Sequence, residues 1–442
     1  MEPISIALLG LGALTALLML RIPVAVAMLT VGIGGYVALS GIGPLLDYMK
    51  TGAYWRFASY NFSVIPLFLL MGQLAARSGL GRNLFDAANA FLGHRRGGVA
   101  MAAVGGCGAF GAICGSSLAT AGTMGKVALP ELERYRYSGA LATGALAAGG
   151  TLGILIPPSV VLIVYAIAVQ ANIVRMFEAA LIPGILALLG YLVTISLYVR
   201  VKPDAAPAKN RASRADRRRA LAASWPTLAL FVLVIGGIYF GVFDPTEAAA
   251  FGALGAALLA RVQGRLDIAG CVECLKATAG TTAMIFMILL GADFINIFLA
   301  LAGFPAWVSN LAASSGWDPY LILAAMIAFY FVLGCFMDSL AMIFLTVPVF
   351  WPVVAVLDFG MPPGDLQIWF GIIVLVVVEL GLITPPIGLN VLLINSQAPN
   401  TSLRETFIGV APFLASDVIR VALLVVFPGI TLWLPHLLAR LG

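Results

Sequence analysis

Gly153-Ile-Leu-Ile-Pro-Pro-Ser159 and Gly381-Leu-Ile-Thr-Pro-Pro-Ile387 are two copies of one unusual element, 228 positions apart counting from Gly153 to Gly381. The same offset carries Gly106-Cys107 onto Gly334-Cys335, so a whole module repeats, and an internal repeat decides the architecture. Each Pro-Pro pair interrupts a long hydrophobic run. Proline lacks the N–H and clashes with the preceding turn, so a helix breaks there. Backbone groups freed at membrane depth survive only inside protein or beside a polar cavity. Interrupted hydrophobic segments at matching places in two halves are the pointer to the binding site of a secondary transporter.

The composition admits this reading and few others. The 442 residues are 61% apolar and 10% charged, with a mean hydropathy of +1.03, which excludes an ordinary soluble domain and points to an all-α polytopic membrane protein. A barrel would alternate apolar and polar residues, whereas these apolar runs are continuous. The five cysteines cannot all pair and lie mostly in hydrophobic sequence. Cys271-Val-Glu-Cys274 has a redox or zinc spacing but stands without a second pair or a nearby histidine, and a packed or lipid-facing role is preferred. His94 and His436 are at opposite ends of the chain, which leaves no metal cluster and no Ser-His pair for an intramembrane enzyme. The net charge of +5 is read through membrane topology, with no nucleic-acid partner. The first apolar segment starts almost at Met1 without a basic leader, so no cleavable signal is expected.

Apolar runs long enough to cross a bilayer fall near 4–20, 22–40, 61–78, 138–170, 174–199, 222–241, 245–260, 277–301, 366–397 and 405–434. Two further stretches read as re-entrant hairpins. Residues 98–130 lie between Arg95-Arg96 and Arg134 with Arg136, so both ends should be cytoplasmic. Residues 319–357 are flanked by Asp318, Asp358 and Asp365 without nearby Lys or Arg, and should enter from the opposite side. The hydrophilic stretch from Arg200 to Arg219, with Lys202, Lys209, Arg211, Arg214, Arg217 and Arg218, reads as a cytoplasmic linker. External termini would place Arg21, Arg77, Arg82, Arg261, Arg265 and Arg404 inside, and Arg56, Arg175 and Arg440 outside. The organisation expected is N-terminal scaffold spans (1–60), a first repeat (61–199) with broken helix 138–170, the linker and connecting spans (200–262), and a second repeat (263–442) with broken helix 366–397. The two repeats then have inverted topology.

The chemistry concentrates at the hairpin tips and breaks. Gly115-Ser116-Ser117 with Thr120 places hydroxyls where a lipid-facing helix would carry leucine, and a turn there frees carbonyls beside them. Such oxygens suit Na⁺, and a helix starting at the turn offers N–H groups to an anion; the alternative is small-residue helix packing. Asp338-Ser339 is the counterpart, and an acid within apolar sequence is a functional candidate by default. Asp338 would coordinate a cation or cap the second arm of its hairpin. Glu379 could serve a cation, carry a proton or hydrogen-bond freed backbone N–H groups, the last being favoured. Asp293 and Asn296 are weaker candidates, for which helix packing is the simpler role. No Lys or Arg lies deep in these elements, so an anionic substrate would rest on helix N-termini and polar groups: Ser116, Ser117, Thr120, Thr151, Ser159, Ser339 and Asn390.

At these residues the chain resembles the large membrane subunit of a tripartite ATP-independent periplasmic (TRAP) transporter. The resemblance rests on Gly115-Ser-Ser-Leu-Ala-Thr-Ala121, Gly150-Thr-Leu-Gly-Ile-Leu-Ile-Pro-Pro-Ser159, Phe177-Glu-Ala-Ala-Leu-Ile-Pro-Gly184, Met337-Asp-Ser339 and Ile383-Thr-Pro-Pro-Ile-Gly-Leu-Asn390. It implies the ion-transporter superfamily elevator fold, with inverted repeats, two re-entrant hairpins and two broken helices. It implies Na⁺-coupled uptake of an organic acid across the bacterial inner membrane. It further implies a small membrane subunit, expected as a separate chain because the first span begins at once, and a soluble periplasmic substrate-binding protein. By motif position a first Na⁺ site would fall at Ser116, Ser117, Gly150 and Gly153, and a second at Gly334, Asp338, Thr384 and Gly388. The rival within transport is a stand-alone dicarboxylate carrier or antiporter of the same fold; a channel fits matched breaks less well.

Overall fold

A computed structural model describes residues 2–440 apart from 21, 209 and 315, with the backbone alone at 51, 53, 55, 56, 61 and 313. Arg21, Lys209 and the side chain of Arg56, which entered the topology argument, lie outside the described residues. Regular structure among the described residues is helical throughout. Three helices open the chain: α1 (Pro3–Met19), α2 (Val24–Ser40) and α3 (Ile42–Phe57). The first repeat follows as α4 (Val64–Ser78), α5 (Leu80–Leu92), a hairpin of α6 (Gly98–Cys114) and α7 (Ser117–Arg134), a broken helix of α8 (Gly139–Leu155) and α9 (Val160–Val169), and α10 (Ile173–Val201). The connecting pair is α11 (Arg214–Phe231), which runs through a π-helical stretch into the single turn α12 (Gly237–Tyr239), and α13 (Pro245–Val262).

The second repeat copies this order. It runs through α14 (Ile268–Leu301), α15 (Phe304–Ser314), a hairpin of α16 (Pro319–Gly334) and α17 (Ser339–Val356), a broken helix of α18 (Pro363–Gly381) and α19 (Leu389–Ser396), then α20 (Leu403–Val426) and α21 (Gly429–Leu438). Among the described residues six helices are long and apolar enough to cross a bilayer alone, or eight with the bent pairs α4–α5 (63°) and α8–α9 (45°). The ten-span reading also counted α1, α2 and α13; the first two, at 17 residues each, are slightly short, and α13 carries Glu247 and Arg261 at its ends. Three helices were not read from the sequence, namely α3, α5 and α15. The span placed at 277–301 begins earlier, at Ile268, because Asp267 caps it through Gly270 N–H (2.8 Å). Cys271 and Cys274 therefore sit on one turn of α14 as free thiols, and no group of three metal-binding side chains occurs among the described residues.

The repeat itself needs a correction. Ser117 and Ser339 open equivalent helices α7 and α17, both 18 residues long, so the hairpins are related by an offset of 222 while the Pro-Pro breaks keep 228. Gly106 lies in mid-helix and Gly334 ends its helix, so that pairing was accidental. Of the extra six residues, two lengthen the link from hairpin to broken helix (357–362 against 135–138), two lengthen α18 over α8, and two lie between α18 and Pro385, where 382–384 stands against the single residue 156.

The centre of the molecule is built from α6, α8 and α18, which are buried nearly all round. A helix apolar on every side has no face to offer water, so it must be enclosed by other helices. Close approach is set by glycine. A methyl carbon on Gly111 would come within 2.5 Å of Gly153 Cα, and one on Gly334 within 2.8 Å of Gly381 Cα, so each hairpin's first arm meets its broken helix backbone to backbone. Without a hydrophobic driving force in lipid, such small-residue contacts carry much of the association between helices. Across the centre, Gly409 of α20 lies against the Ala140 carbonyl of α8.

Gly409→Leu should therefore drive α20 off α8 and lower stability by about 2 kcal/mol or more. Gly280→Leu, where a side chain meets nothing within 4 Å, should be close to neutral. Thermal unfolding of both variants in detergent checks the difference.

Candidate substrate and ion site

The second arm of each hairpin begins with a side-chain cap. Ser116, in an extended conformation, accepts from Ala119 N–H (3.4 Å) at the start of α7, and Asp338 Oδ1 accepts from Leu340 N–H (3.0 Å) and Ala341 N–H (3.2 Å) at the start of α17. Ser159 does the same for α9 after the first break, accepting from Leu162 N–H (3.3 Å). Caps of this kind satisfy N–H groups that a helix start leaves without partners. Gly115 makes the hairpin-one turn at φ +65°, in the left-handed region where glycine carries no Cβ penalty.

Each tip packs on the break of its own repeat. A side chain at Gly115 would lie 2.9 Å from the Pro158 carbonyl, and Cys335 Sγ donates to the Pro385 carbonyl at 3.1 Å. Both Pro-Pro bonds, 157–158 and 385–386, are cis. The second break spans 382–388 and is closed by Asn390 N–H to Leu382 O (3.1 Å), with Gly388 at φ +58° before α19. Thr384 Oγ donates back to Leu380 O (2.6 Å).

Between the tips lies a cavity of about 430 Å³. Its walls are the hairpin-one tip from Cys114 to Ala119, the hairpin-two tip from Asp338 to Leu340, Val160 and Val161 at the start of α9, Gln73 of α4 and Thr281 of α14. Three helix N-termini, those of α7, α9 and α17, thus line one space. Among the described residues the lining holds one charged side chain, Asp338, and no Lys, Arg or His. Apolar surface from Leu69, Ile154, Met284 and Ile285 completes it.

Of the residues proposed for substrate contact, Ser116, Ser117 and Ser339 line the cavity and the others do not. Thr120 is fully buried against Gly153, and its Oγ has no hydrogen-bond partner. Thr151 turns away, donating to Ala148 O (2.7 Å) and meeting Tyr191 Oη at 2.9 Å. Ser159 is spent on its cap. Asn390 donates to Ala147 O (3.3 Å), beside Gly150, with its side-chain oxygen buried and unpartnered. Asp293 and Asn296 lie farther along α14, off the cavity wall. Gly153, Thr120 and the Ser116 carbonyl come together, as do Gly150 and Asn390; Gly334 is pressed on Gly381, and Gly388 on the Thr384 carbonyl. Glu379 corrects the expectation. No backbone N–H bonds to it among the hydrogen bonds of the described residues. Its fully buried carboxylate accepts Ser339 Oγ–H at 2.9 Å on one oxygen and Ser117 Oγ–H on the other.

The fold family follows from comparison with known proteins. The sequence model for the DctM component of tripartite ATP-independent periplasmic transporters matches residues 11–430. This chain belongs to that family. The DctM-family relatives include the C4-dicarboxylate TRAP transporter large permease protein of Pseudomonas aeruginosa, 34% identical over 85% of this chain and 86% of that one. The sialic acid TRAP transporter large permease of Vibrio cholerae is 29% identical over 96% and 97%. In fold, the chain is similar to the YdaH transporter of Alcanivorax borkumensis, with a TM-score of 0.62 at 15% identity, covering 94% of this chain and 98% of that one. The relatives are named as permease subunits, not enzymes, and the chain is a multi-pass membrane protein of a TRAP transporter.

Sequence reasoning missed a second buried polar group in this DctM-family chain. Tyr191 Oη donates to Asp417 Oδ2 (2.8 Å), and Asp417 Oδ1 pairs with Arg420 at 2.9 Å, with both charged side chains almost wholly buried in α20. The i, i+3 spacing of acid and base inside an apolar run was the available signal. Gln73 and Thr281 on the cavity wall carried none, since single polar residues are common in long helices.

Capping engages one oxygen of Asp338. Asp338→Ala should therefore lower stability by about 1 kcal/mol, while Asp338→Asn should change it by only a few tenths, because asparagine caps as well as aspartate. Denaturant or thermal unfolding of the pair checks this, and it fixes how much of any transport defect is structural.

Proposed function

We propose that this chain is the translocating subunit of a tripartite uptake system in the bacterial inner membrane, importing an organic acid anion with Na⁺ by an elevator-type movement. The observation that carries the reading is the cavity between the two hairpin tips. Helix N-termini attract anions through their unpaired N–H groups and the helix dipole, and three of them line this space without any cationic side chain. Asp338 on the same wall would repel a carboxylate unless a cation lies between them. Na⁺ supplies that charge in this reading, and it takes oxygen donors. Thr120 Oγ and Asn390 Oδ1, buried without partners beside Gly153 and Gly150, fit a hard cation in the first half, with Ser116 and Ser117 nearby. Asp338, Gly334, Thr384 and Gly388 would serve the second.

The relatives' names, a C4-dicarboxylate and a sialic acid permease, support a carboxylate substrate. Family membership supports two partners, a small membrane subunit and a periplasmic substrate-binding protein. The basic stretch from Arg200 to Arg219 supports a cytoplasmic linker.

Reconstitution with both partners into proteoliposomes should give substrate uptake driven by an inward Na⁺ gradient and not by a proton gradient. Full-rate uptake by the chain alone would favour a stand-alone carrier. Asp338→Asn should weaken the apparent Na⁺ affinity roughly 10-fold to 150-fold, the loss of one charge-assisted contact of about 1.5–3 kcal/mol. An unchanged Na⁺ dependence would take Asp338 out of the ion site. For orientation, Ala212→Cys in a cysteine-free background should react with a membrane-impermeant thiol probe only after cells are permeabilised; labelling of intact cells would invert the topology.

A further inference from the structure

The geometry points to Glu379 as a positioning residue that ties the two hairpin tips into one unit, so that what binds at one tip organises the other. Ser117 and Ser339 are the first residues of α7 and α17, the two helices whose N-termini face the cavity from opposite repeats. Their hydroxyls do not point at the cavity as free donors. Both donate to the same carboxylate, one to each oxygen, and that carboxylate is fully buried in the last turns of α18. Each serine also follows its helix cap directly, Ser116 in one case and Asp338 in the other. A shift of either tip must therefore break a hydrogen bond or drag the second tip with it.

The arrangement has no counterpart in the first repeat, which makes it specific to this position. By the offset that relates the breaks, Glu379 corresponds to Thr151, and Thr151 faces Tyr191 and the Asp417–Arg420 pair instead of the tips. A fully buried acid hydrogen-bonded by two serine hydroxyls is costly to keep. Backbone satisfaction does not explain it, since no N–H bond to it occurs among the described residues. Packing does not either, since a leucine would fill the volume.

The test separates the tie from a role for the charge. Glutamine at 379 can accept one serine O–H through its carbonyl and donate its N–H to the other serine oxygen, so it keeps both links without the charge. Alanine removes both. Hydrogen exchange of the full chain in lipid nanodiscs, followed by mass spectrometry, reads the tips at 115–120 and 337–342. Glu379→Ala should speed exchange at both tips about 10-fold, and Glu379→Gln should recover most of the protection. Ser339→Ala, which leaves α17 capped by Asp338, should loosen the remote tip at 115–120 as well as its own. The inference is overturned if Glu379→Ala leaves either tip unchanged, if Ser339→Ala acts only locally, or if Glu379→Gln is as open as Glu379→Ala, which would assign the charge itself. The transport consequence rests on the uptake reading above. There Glu379→Ala should raise the KM for substrate and weaken Na⁺ dependence together, with Glu379→Gln restoring both. If the unaltered protein shows no Na⁺-driven uptake, that reading fails while the exchange result still decides the tie.

Discussion

A helix that breaks inside an apolar core leaves N–H and C=O groups with neither water nor lipid to satisfy them, and most of this structure is a response to that constraint. The two Pro-Pro breaks are met by hairpin tips, so the freed carbonyls of Pro158 and Pro385 face Gly115 and Cys335. The hairpins in turn create new helix starts in the core, and these are satisfied by Ser116 and Asp338 as caps. Polar atoms therefore accumulate at the centre of a hydrophobic protein because the backbone requires them there. The cavity, with its three helix N-termini, is what remains where this accounting is left open on one side.

Close packing and function draw on the same residues. Glycine at 111, 153, 334 and 381 lets hairpin and broken helix touch through their backbones. Thr120 Oγ of hairpin one and Asn390 Oδ1 of α19 lie buried without hydrogen-bond partners beside Gly153 and Gly150. Buried oxygens without hydrogen-bond partners are expensive. The juxtaposition of these two with Gly150 and Gly153 is what supports the cation proposed there.

The backbone plan was legible because its signals are composition and chain-breaking residues. Pro157-Pro158 and Pro385-Pro386 marked both breaks, Gly115 and Asp338 marked both tips, and the hairpin limits at 98 and 319 agree with the observed helices. The register of the repeat was misjudged because glycine is frequent in such a chain, and the chance match of Gly106-Cys107 with Gly334-Cys335 hid six residues of difference. The helices α5 and α15 escaped notice because each follows a longer apolar helix after only a glycine or a short turn. Side-chain direction was the least legible part. Thr151 and Glu379 occupy equivalent positions, yet the first faces Tyr191 and the second the hairpin tips, a choice made by neighbours brought in from helices far along the chain.

That divergence limits what the repeat can mean for mechanism. Two halves of like backbone could in principle bind and release in the same way, each serving one cation. Here the equivalent positions hold a threonine joined to a buried acid–base pair in α20 and a carboxylate joined to both tips. Thr151 is thereby joined to Tyr191 of α10 and, through it, to α20 of the second repeat, while Glu379 reaches from the second repeat to the hairpin tip of the first. Any motion that separates the tips must act on Glu379, whereas a motion that carries both tips together leaves its bonds intact. A rigid displacement of the paired tips against α4 and α14, whose Gln73 and Thr281 also line the cavity, breaks neither of the Glu379 hydrogen bonds. In the uptake reading proposed above, movement of the whole hairpin pair keeps both Glu379 hydrogen bonds, whereas opening one hairpin at a time breaks at least one of them.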